Sequence, residues 1–235
     1  MIFESYSSGS HANAYAVDDG KTKILIEAGV KVEKLRKYLV LSTVSGCLLT
    51  HEHLDHSRYA YSLQTHGINV YGTPGTLANI KGHRKVEITT EGTFEIGSWM
   101  IAAFDVEHDA EQPCGYLMES MHTGERLLFV TDAMRLKYKF GRITHLAIEA
   151  NHCEQMLGRA ANTEHFRRVY GSHLSVQAAM AAMKNNIELG RLETVALLHL
   201  SDQNSDEALF QRRVQGAVNR PVYVCPRDDY MRIGF

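Results

Sequence analysis

His51-Glu52-His53-Leu54-Asp55-His56 places three imidazoles and a carboxylate within six residues, directly after the short apolar run Cys47-Leu48-Leu49-Thr50. Such a run reads as a buried strand that delivers His51 to its C-terminal edge. In extended backbone, residues i and i+2 project to the same side. His51 and His53 can therefore converge on one ion, while Asp55 and His56, on the turn that follows, reach a second. Imidazole nitrogen and carboxylate oxygen are the donors that zinc and similar divalent ions take. A merely solvated polar loop would not need four such donors side by side.

Four clustered donors rarely complete two sites, so further ligands are expected at other strand ends. His108 follows the apolar run at 99–104, in Asp105-Val106-Glu107-His108-Asp109-Ala110. Asp132 ends Leu127-Leu128-Phe129-Val130-Thr131, where a carboxylate can bridge two ions through its two oxygens. His199 ends Val195-Ala196-Leu197-Leu198. Each alone would read as structural; the first cluster's need for partners turns them into metal ligands.

The flanking segments supply a frame. Residues 2–6 and 14–17 read as strands around Ser7-Ser8-Gly9-Ser10-His11, and Asp18-Asp19-Gly20 marks a hairpin into a strand at 23–27. A short helix at about 32–39 follows Gly29. After Asp55 a helix is predicted through Tyr59, Leu63 and His66, stopping at Gly67. A strand at 68–71 and a short helix from Thr73-Pro74 come next. Further strands are predicted at 94–96, 99–104, 115–118, 127–130, 146–149, 194–199, 222–225 and 231–233. Helices fall at about 154–170, 175–184 and 205–218. Strands interleaved with helices indicate a layered α/β (α+β) architecture. No linker, repeat or low-complexity tract interrupts it, so 1–235 reads as a single domain.

With 44% hydrophobic and 22% charged residues the composition is that of an ordinary globular protein. No apolar run approaches the roughly 20 residues of a membrane span. Met1-Ile2-Phe3-Glu4-Ser5 lacks a secretory pattern, which makes the cytoplasm the expected compartment. The formal net charge of −2 carries no nucleic-acid signature by itself; a polyanion would be met by a local patch together with the metals. Cys47, Cys114, Cys153 and Cys225 are scattered, without a C-x-x-C pair, and read as small buried thiols. A homodimer is the usual prior for oligomeric state.

The order H-x-H-x-D-H, then His, Asp and His at long spacings, resembles the metallo-β-lactamase superfamily. Within it the sequence is most similar to WalJ-like (YycJ-like) exonuclease-type members of Gram-positive bacteria and related phage proteins. The resemblance rests on Ser7-Ser8-Gly9-Ser10, Ile24-Leu25-Ile26-Glu27-Ala28-Gly29, Leu49 through His56, and Val106-Glu107-His108-Asp109-Ala110. It continues through Val130-Thr131-Asp132, Ile148-Glu149-Ala150-Asn151-His152, Ser172-His173-Leu174-Ser175 and Leu198-His199-Leu200-Ser201. It implies an αββα sandwich, two packed mixed β-sheets flanked by helices. It also implies that His51, His53 and His108 hold one metal, that Asp55, His56 and His199 hold the other, and that Asp132 bridges. Glu27 stands where the superfamily usually has an Asp that orients the metal loop.

Two divalent ions a few ångströms apart can hold a hydroxide between them as nucleophile and bring the pKa of bound water to about 7. Asp55 or Asp132 could take up its proton. His173, ahead of a helix in Gly171-Ser172-His173-Leu174-Ser175, could protonate a leaving oxygen or bind a phosphate; a capping serine beside an incidental histidine is the alternative. Substrate contacts are expected from Ser7, Ser10, Asn13, Ser172, His173 and Ser175, although Ser7, Ser10 and Asn13 could equally just make a turn. Arg135 and Lys137, in Arg135-Leu136-Lys137-Tyr138-Lys139-Phe140-Gly141-Arg142, could bind a phosphodiester backbone beside stacking aromatics, and Lys81, His83, Arg84 and Lys85 form a second basic knot. Asn151-His152 reads as either a pair behind the ligands or a satisfied loop, and His11, His66, His83, His122, His145 and His165 as surface or core residues. The expected activity is that of a dinuclear phosphodiesterase or nuclease cleaving DNA in exonuclease fashion, with zinc, or else manganese or iron. The alternatives are a cyclic or signalling nucleotide phosphodiesterase and, third, a thioester, lactone or β-lactam hydrolase. A non-enzymatic module would show degraded ligands, whereas all seven positions carry competent side chains.

Overall fold

The computed structural model describes residues 1–157 and 169–234. The chain opens with β1 (Ile2–Ser7), β2 (Ala14–Asp18) and β3 (Lys23–Ile26), passes through α1 (Val32–Leu35), and returns as β4 (Val44–Leu48). The short helices α2 (Leu54–Ser57) and α3 (Ala60–Thr65) lead to β5 (Val70–Gly72), α4 (Pro74–Ala78) and β6 (Lys85–Glu87). Then come β7 (Thr93–Ile96), β8 (Trp99–Asp105), β9 (Cys114–Ser120), β10 (Arg126–Val130) and β11 (His145–Glu149). The remainder is α5 (Glu154–Leu157), α6 (Val176–Asn186), β12 (Thr194–Leu198), α7 (Glu207–Val218), β13 (Val222–Val224) and β14 (Met231–Gly234).

Among the described residues the strands form two sheets, ordered β14-β1-β2-β3-β4-β5-β6 and β13-β12-β11-β10-β9-β8-β7. Both are mixed in the same way. The first is antiparallel from β14 to β3 and parallel from β3 to β6. The second is antiparallel from β7 to β10 and parallel from β10 to β13. Successive side chains of a strand point to opposite faces, and β10 shows what this does here. Leu127 and Phe129 enter the core between the sheets with Tyr15, Ile24, Leu48 and Trp99. Leu128 and Val130 pack outward under Val176, Phe210 and Val214 of α6 and α7. A strand buried on both faces is apolar throughout, which is why it stands out in the sequence. On the other side Leu25, Cys47, Leu49 and Val70 pack under Leu35, Leu63 and Leu77 of α1, α3 and α4. The architecture is the expected αββα sandwich.

Some local readings change. The helix expected to run through 66 breaks into α2 and α3, because the Tyr59 amide turns to donate to the Ala28 carbonyl at 2.8 Å. β6 was not anticipated; its Lys85 belongs to the basic knot, and its ammonium donates to the Leu77 and Ile80 carbonyls at the end of α4. Of the helix expected at 154–170, α5 is seen, while 158–168, with His165, lie outside the described residues. The four cysteines are buried free thiols, and burial pushes those of Cys114 and Cys225 up to about 12. Among the described residues no helix is long and apolar enough to cross a membrane.

Asp19, in the β2–β3 turn, ties the sheets together. Its carboxylate accepts from the hydroxyls of Ser98 at 2.6 Å and Ser120 at 2.7 Å, at the ends of β8 and β9, and from the amides of Lys21 and Thr22. Burial would raise its pKa, but these donors hold it below the ordinary value. A group depressed in this way stabilises the fold above its unfolded pKa of about 3.9, and the contribution is lost as pH falls through the folded value. Asp19→Asn should cost about 2 kcal/mol in urea unfolding at pH 7 and flatten the acid limb of stability against pH. Identical acid limbs for the variant and the parent protein would show that the charge contributes nothing.

Candidate metal centre

The parallel strands of both sheets end at one edge, where they deliver Glu27 after β3, Thr50 and His51 after β4, Asp132 after β10, Glu149 at the end of β11 and His199 after β12. Three of these residues take left-handed backbone that L-residues avoid: Glu27 at φ 67°, Asp132 at 47° and His199 at 53°. Such conformations cost roughly 1–3 kcal/mol each and concentrate at functional sites.

Ligand atoms of His51, His53 and His108 lie within 4.8 Å of one another, as do those of Asp55, His56, Asp132 and His199. A third group, Asp132, Glu149, His173 and His199, overlaps the second. The seven residues singled out in the sequence are thus brought together in two sets. Asp132 lies between them, with Oδ2 2.9 Å from His56 Nε2, 3.4 Å from His51 Nε2 and 3.8 Å from His108 Nε2.

The donors fit divalent ions, and hydrogen bonds on the far side of the His51, His53 and His108 rings show why. The Thr50 hydroxyl donates to Glu27 Oε1 at 2.6 Å and therefore accepts from His51 Nδ1 at 2.9 Å. That leaves the Nε2 lone pair of His51 facing Asp132, buried and without a hydrogen-bond partner. His108 Nδ1 donates to the Ser172 carbonyl at 2.9 Å and His53 Nε2 to the Asp109 carbonyl at 3.1 Å. Their remaining nitrogens then meet lone pair to lone pair at 3.2 Å. Lone pairs converging on each other and on a carboxylate repel unless a cation lies among them, and a ligating histidine whose other nitrogen is hydrogen-bonded is the usual arrangement in metal sites. Burial and the neighbouring imidazole of His56 push His51 well below the ordinary imidazole pKa, toward the neutral, ligating form. Burial would raise Asp132, yet His199 and His56 hold it well below the carboxylate range.

Glu27 performs the orienting task expected at its position. Besides the Thr50 hydroxyl it accepts from the Thr50 amide at 3.3 Å and faces His56 Nδ1 at 3.5 Å. Gly29 lets the chain pass beside the metal loop: a Cβ there would stand 1.7 Å from the Asp55 carbonyl oxygen and 2.7 Å from the Asn13 amide nitrogen.

A cleft of about 210 Å³ opens over the two sets, lined among others by Ser10, Asn151, Ser172, His173 and Ser201. The other expected substrate residues lie elsewhere. Ser7 is buried and bonds the Arg227 carbonyl; Asn13 is buried beside Asp55 and His56. Ser175 caps α6 by accepting from the Ala178 amide at 3.0 Å. Arg135 and Lys137 each reach Glu107 at 2.6 Å, outside the cleft lining. Reading the sequence alone missed Glu149. Fully buried, it accepts from His173 Nδ1 at 2.7 Å and from the amides of Leu174 and Ala133, and lies 3.3 Å from His199 Nδ1. Its signal was available, since Leu146-Ala147-Ile148-Glu149 repeats the apolar strand ending in a carboxylate that marked Asp132. Ser8 was also missed; its hydroxyl accepts from the His199 amide at 2.8 Å. Asn151 holds His199 through its carbonyl at 2.9 Å.

Comparison with known proteins agrees with this geometry. The family profile described as "Beta-lactamase superfamily domain" matches residues 22–199. The chain is 27% identical over 225 residues to exodeoxyribonuclease WalJ of Streptococcus pneumoniae serotype 2 (strain D39 / NCTC 7466), covering 86% of this chain and 82% of the relative. It is 27% identical over 234 residues to exodeoxyribonuclease YycJ of Bacillus anthracis, covering 91% and 88%. Among solved structures, the metallo-beta-lactamase fold protein YhfI of Bacillus subtilis superposes with a TM-score of 0.74 at 13% identity, covering 99% of both chains.

Because Gly29 packs backbone against backbone, the site has no flexible side chain to yield there. Gly29→Ala should lower stability by about 3 kcal/mol and reduce bound metal, read by thermal melting and by elemental analysis of the purified variant. Normal metal content with an unchanged melting temperature would refute the close packing of this loop.

Proposed function

The chain belongs to the family of the beta-lactamase superfamily domain, and on that premise we propose that this metal-dependent hydrolase is a dinuclear phosphodiesterase of the nuclease type, acting on DNA ends. The observation that carries the reading is the pair of facing ligand sets with Asp132 between them, taken with the exodeoxyribonuclease names of its relatives. His51, His53 and His108 would hold one ion, and Asp55, His56 and His199 the other, with Asp132 shared. Zinc suits this histidine-rich set, and manganese or iron would accept the same donors. Such ions supply an activated water and polarise a phosphoryl oxygen.

The chain's own residues provide the rest. His173 sits at the cleft with Nδ1 fixed on Glu149 at 2.7 Å, so Nε2 is left to serve the substrate. Burial alone would lower its pKa, but Glu149 and Asp132 raise it well above the ordinary value and keep the ring protonated. A protonated imidazole over the cleft suits delivery of a proton to the departing oxygen. Glu149 cannot rotate away, because the Leu174 and Ala133 amides hold its other oxygen. Ser10 and Ser172 line the same cleft and would meet phosphate oxygens there.

A second reading, hydrolysis of a cyclic or signalling nucleotide, draws on a specific observation. Arg135 and Lys137, of the basic loop after Asp132, are paired with Glu107, and the cleft is small, which suits a compact substrate.

Incubating purified protein and zinc or manganese with end-labelled single- and double-stranded DNA, beside a panel of cyclic nucleotides, separates the two readings. DNA should be shortened from an end, and His51→Ala should abolish this. His173→Ala should lower kcat by about 10²- to 10⁴-fold, and Glu149→Gln should lower kcat with little change in KM. Cyclic-nucleotide turnover with intact DNA would move the protein to the second reading; no turnover of either would sink both.

A further inference from the structure

We infer that Asn13 is the residue that holds the Asp55–His56–His199 ligand set assembled, a positioning role rather than substrate binding. Its side chain is fully buried, which removes it from any substrate. The orientation of its amide is fixed by three bonds: Oδ1 accepts from the Gly9 amide at 2.9 Å and the Tyr15 hydroxyl at 3.1 Å, and Nδ2 donates to the Gly9 carbonyl at 3.0 Å. That orientation aims an Nδ2 hydrogen at Asp55 Oδ2, 3.3 Å away, an oxygen with lone pairs enough to accept it and still bind an ion, and sets the amide against the ring of His56, whose Nε2 lies at 3.0 Å.

The backbone of the same residue completes the clamp. The Asn13 amide donates to the Asp55 carbonyl at 2.7 Å, and the Asn13 carbonyl accepts from the Gly29 amide at 2.9 Å. The Ser7–Asn13 loop thus grips the motif turn from both main chain and side chain. It also reaches His199, whose amide donates to the Ser8 hydroxyl at 2.8 Å, and that hydroxyl in turn pairs with Tyr15 at 2.7 Å. The other set is held differently: its His53 and His108 lean on the backbone carbonyls of Asp109 and Ser172 and, among the described residues, make no hydrogen bond to this loop. Loss of the Asn13 amide should therefore weaken one ion and spare the other. Groups that orient ligands in this way are worth about 10- to 100-fold in metal affinity.

The inference rests on the dinuclear reading, and the test keeps the two apart. Metal-free protein is titrated with zinc against a chromophoric chelator, for the parent chain, Asn13→Asp and Asn13→Ala, with metal-free melting as a check on folding. Asn13→Asp keeps the volume and the Oδ1 acceptor but removes the donor. Two ions should bind the parent chain with resolvable affinities. In both variants one affinity should fall about 10- to 100-fold while the other holds. In a His108→Ala background, where the other set is broken, Asn13→Asp should remove the remaining tight ion. Two unchanged or tighter affinities overturn the assignment, as does an equal fall in both, which would mark Asn13 as merely structural. A parent chain that binds only one ion overturns the dinuclear reading and the inference with it.

Discussion

Everything at the sheet edge follows from the crowding of imidazoles around the buried carboxylate of Asp132. Its carboxylate lies at 2.9 and 3.4 Å from nitrogens of His56 and His51, and the hydrogen bonds behind the rings of His51, His108 and His53 turn lone pairs, not protons, toward the interior of the site. Bringing such groups together in a buried place is costly for the protein alone. The chain meets this cost with rigid backbone. Left-handed φ at Glu27, Asp132 and His199 is sustained only where surrounding structure leaves no other choice, and here each of these residues leaves the end of a parallel strand locked between two neighbours.

The topology explains why the groups can meet. Each sheet spends its antiparallel half on one side and its parallel half on the other. The parallel halves have all their strand C-termini at one end, so their connecting loops gather there, as is usual for ligand sites in open α/β sheets. Strand order then brings β4 of one sheet opposite β10 to β12 of the other, and the site is assembled from both.

This explains what could be read in advance. Candidate ligands that directly follow a fully buried strand announce themselves, because an apolar run ending in His or Asp is a local pattern; His51, Asp132 and His199 belong to this class. Glu149 has the same local pattern, but its task depends on His173, which is 24 residues away in the chain. Asn13 is harder still. Nothing near it distinguishes a turn-forming asparagine from one whose amide faces a buried histidine 43 positions later. The split of α2 from α3 was illegible for the same reason, since its cause is a carbonyl of Ala28 in another strand connection.

The basic loop after Asp132 is tied down by its own charges. Arg135 grips Glu107 through two nitrogens, at 2.6 and 2.9 Å, and Lys137 reaches the same carboxylate at 2.6 Å. These contacts are exposed and screened by solvent, so their value to overall stability is small. Their position matters more. Glu107 is the residue before His108, and its carbonyl also accepts from the Met134 amide at 2.8 Å. On the other flank the Ala133 amide is held by Glu149. The loop that leaves Asp132 is therefore fastened on one side to the neighbour of a ligand from the first set and on the other to the partner of His173. In that arrangement the cations serve to register Asp132 against His108.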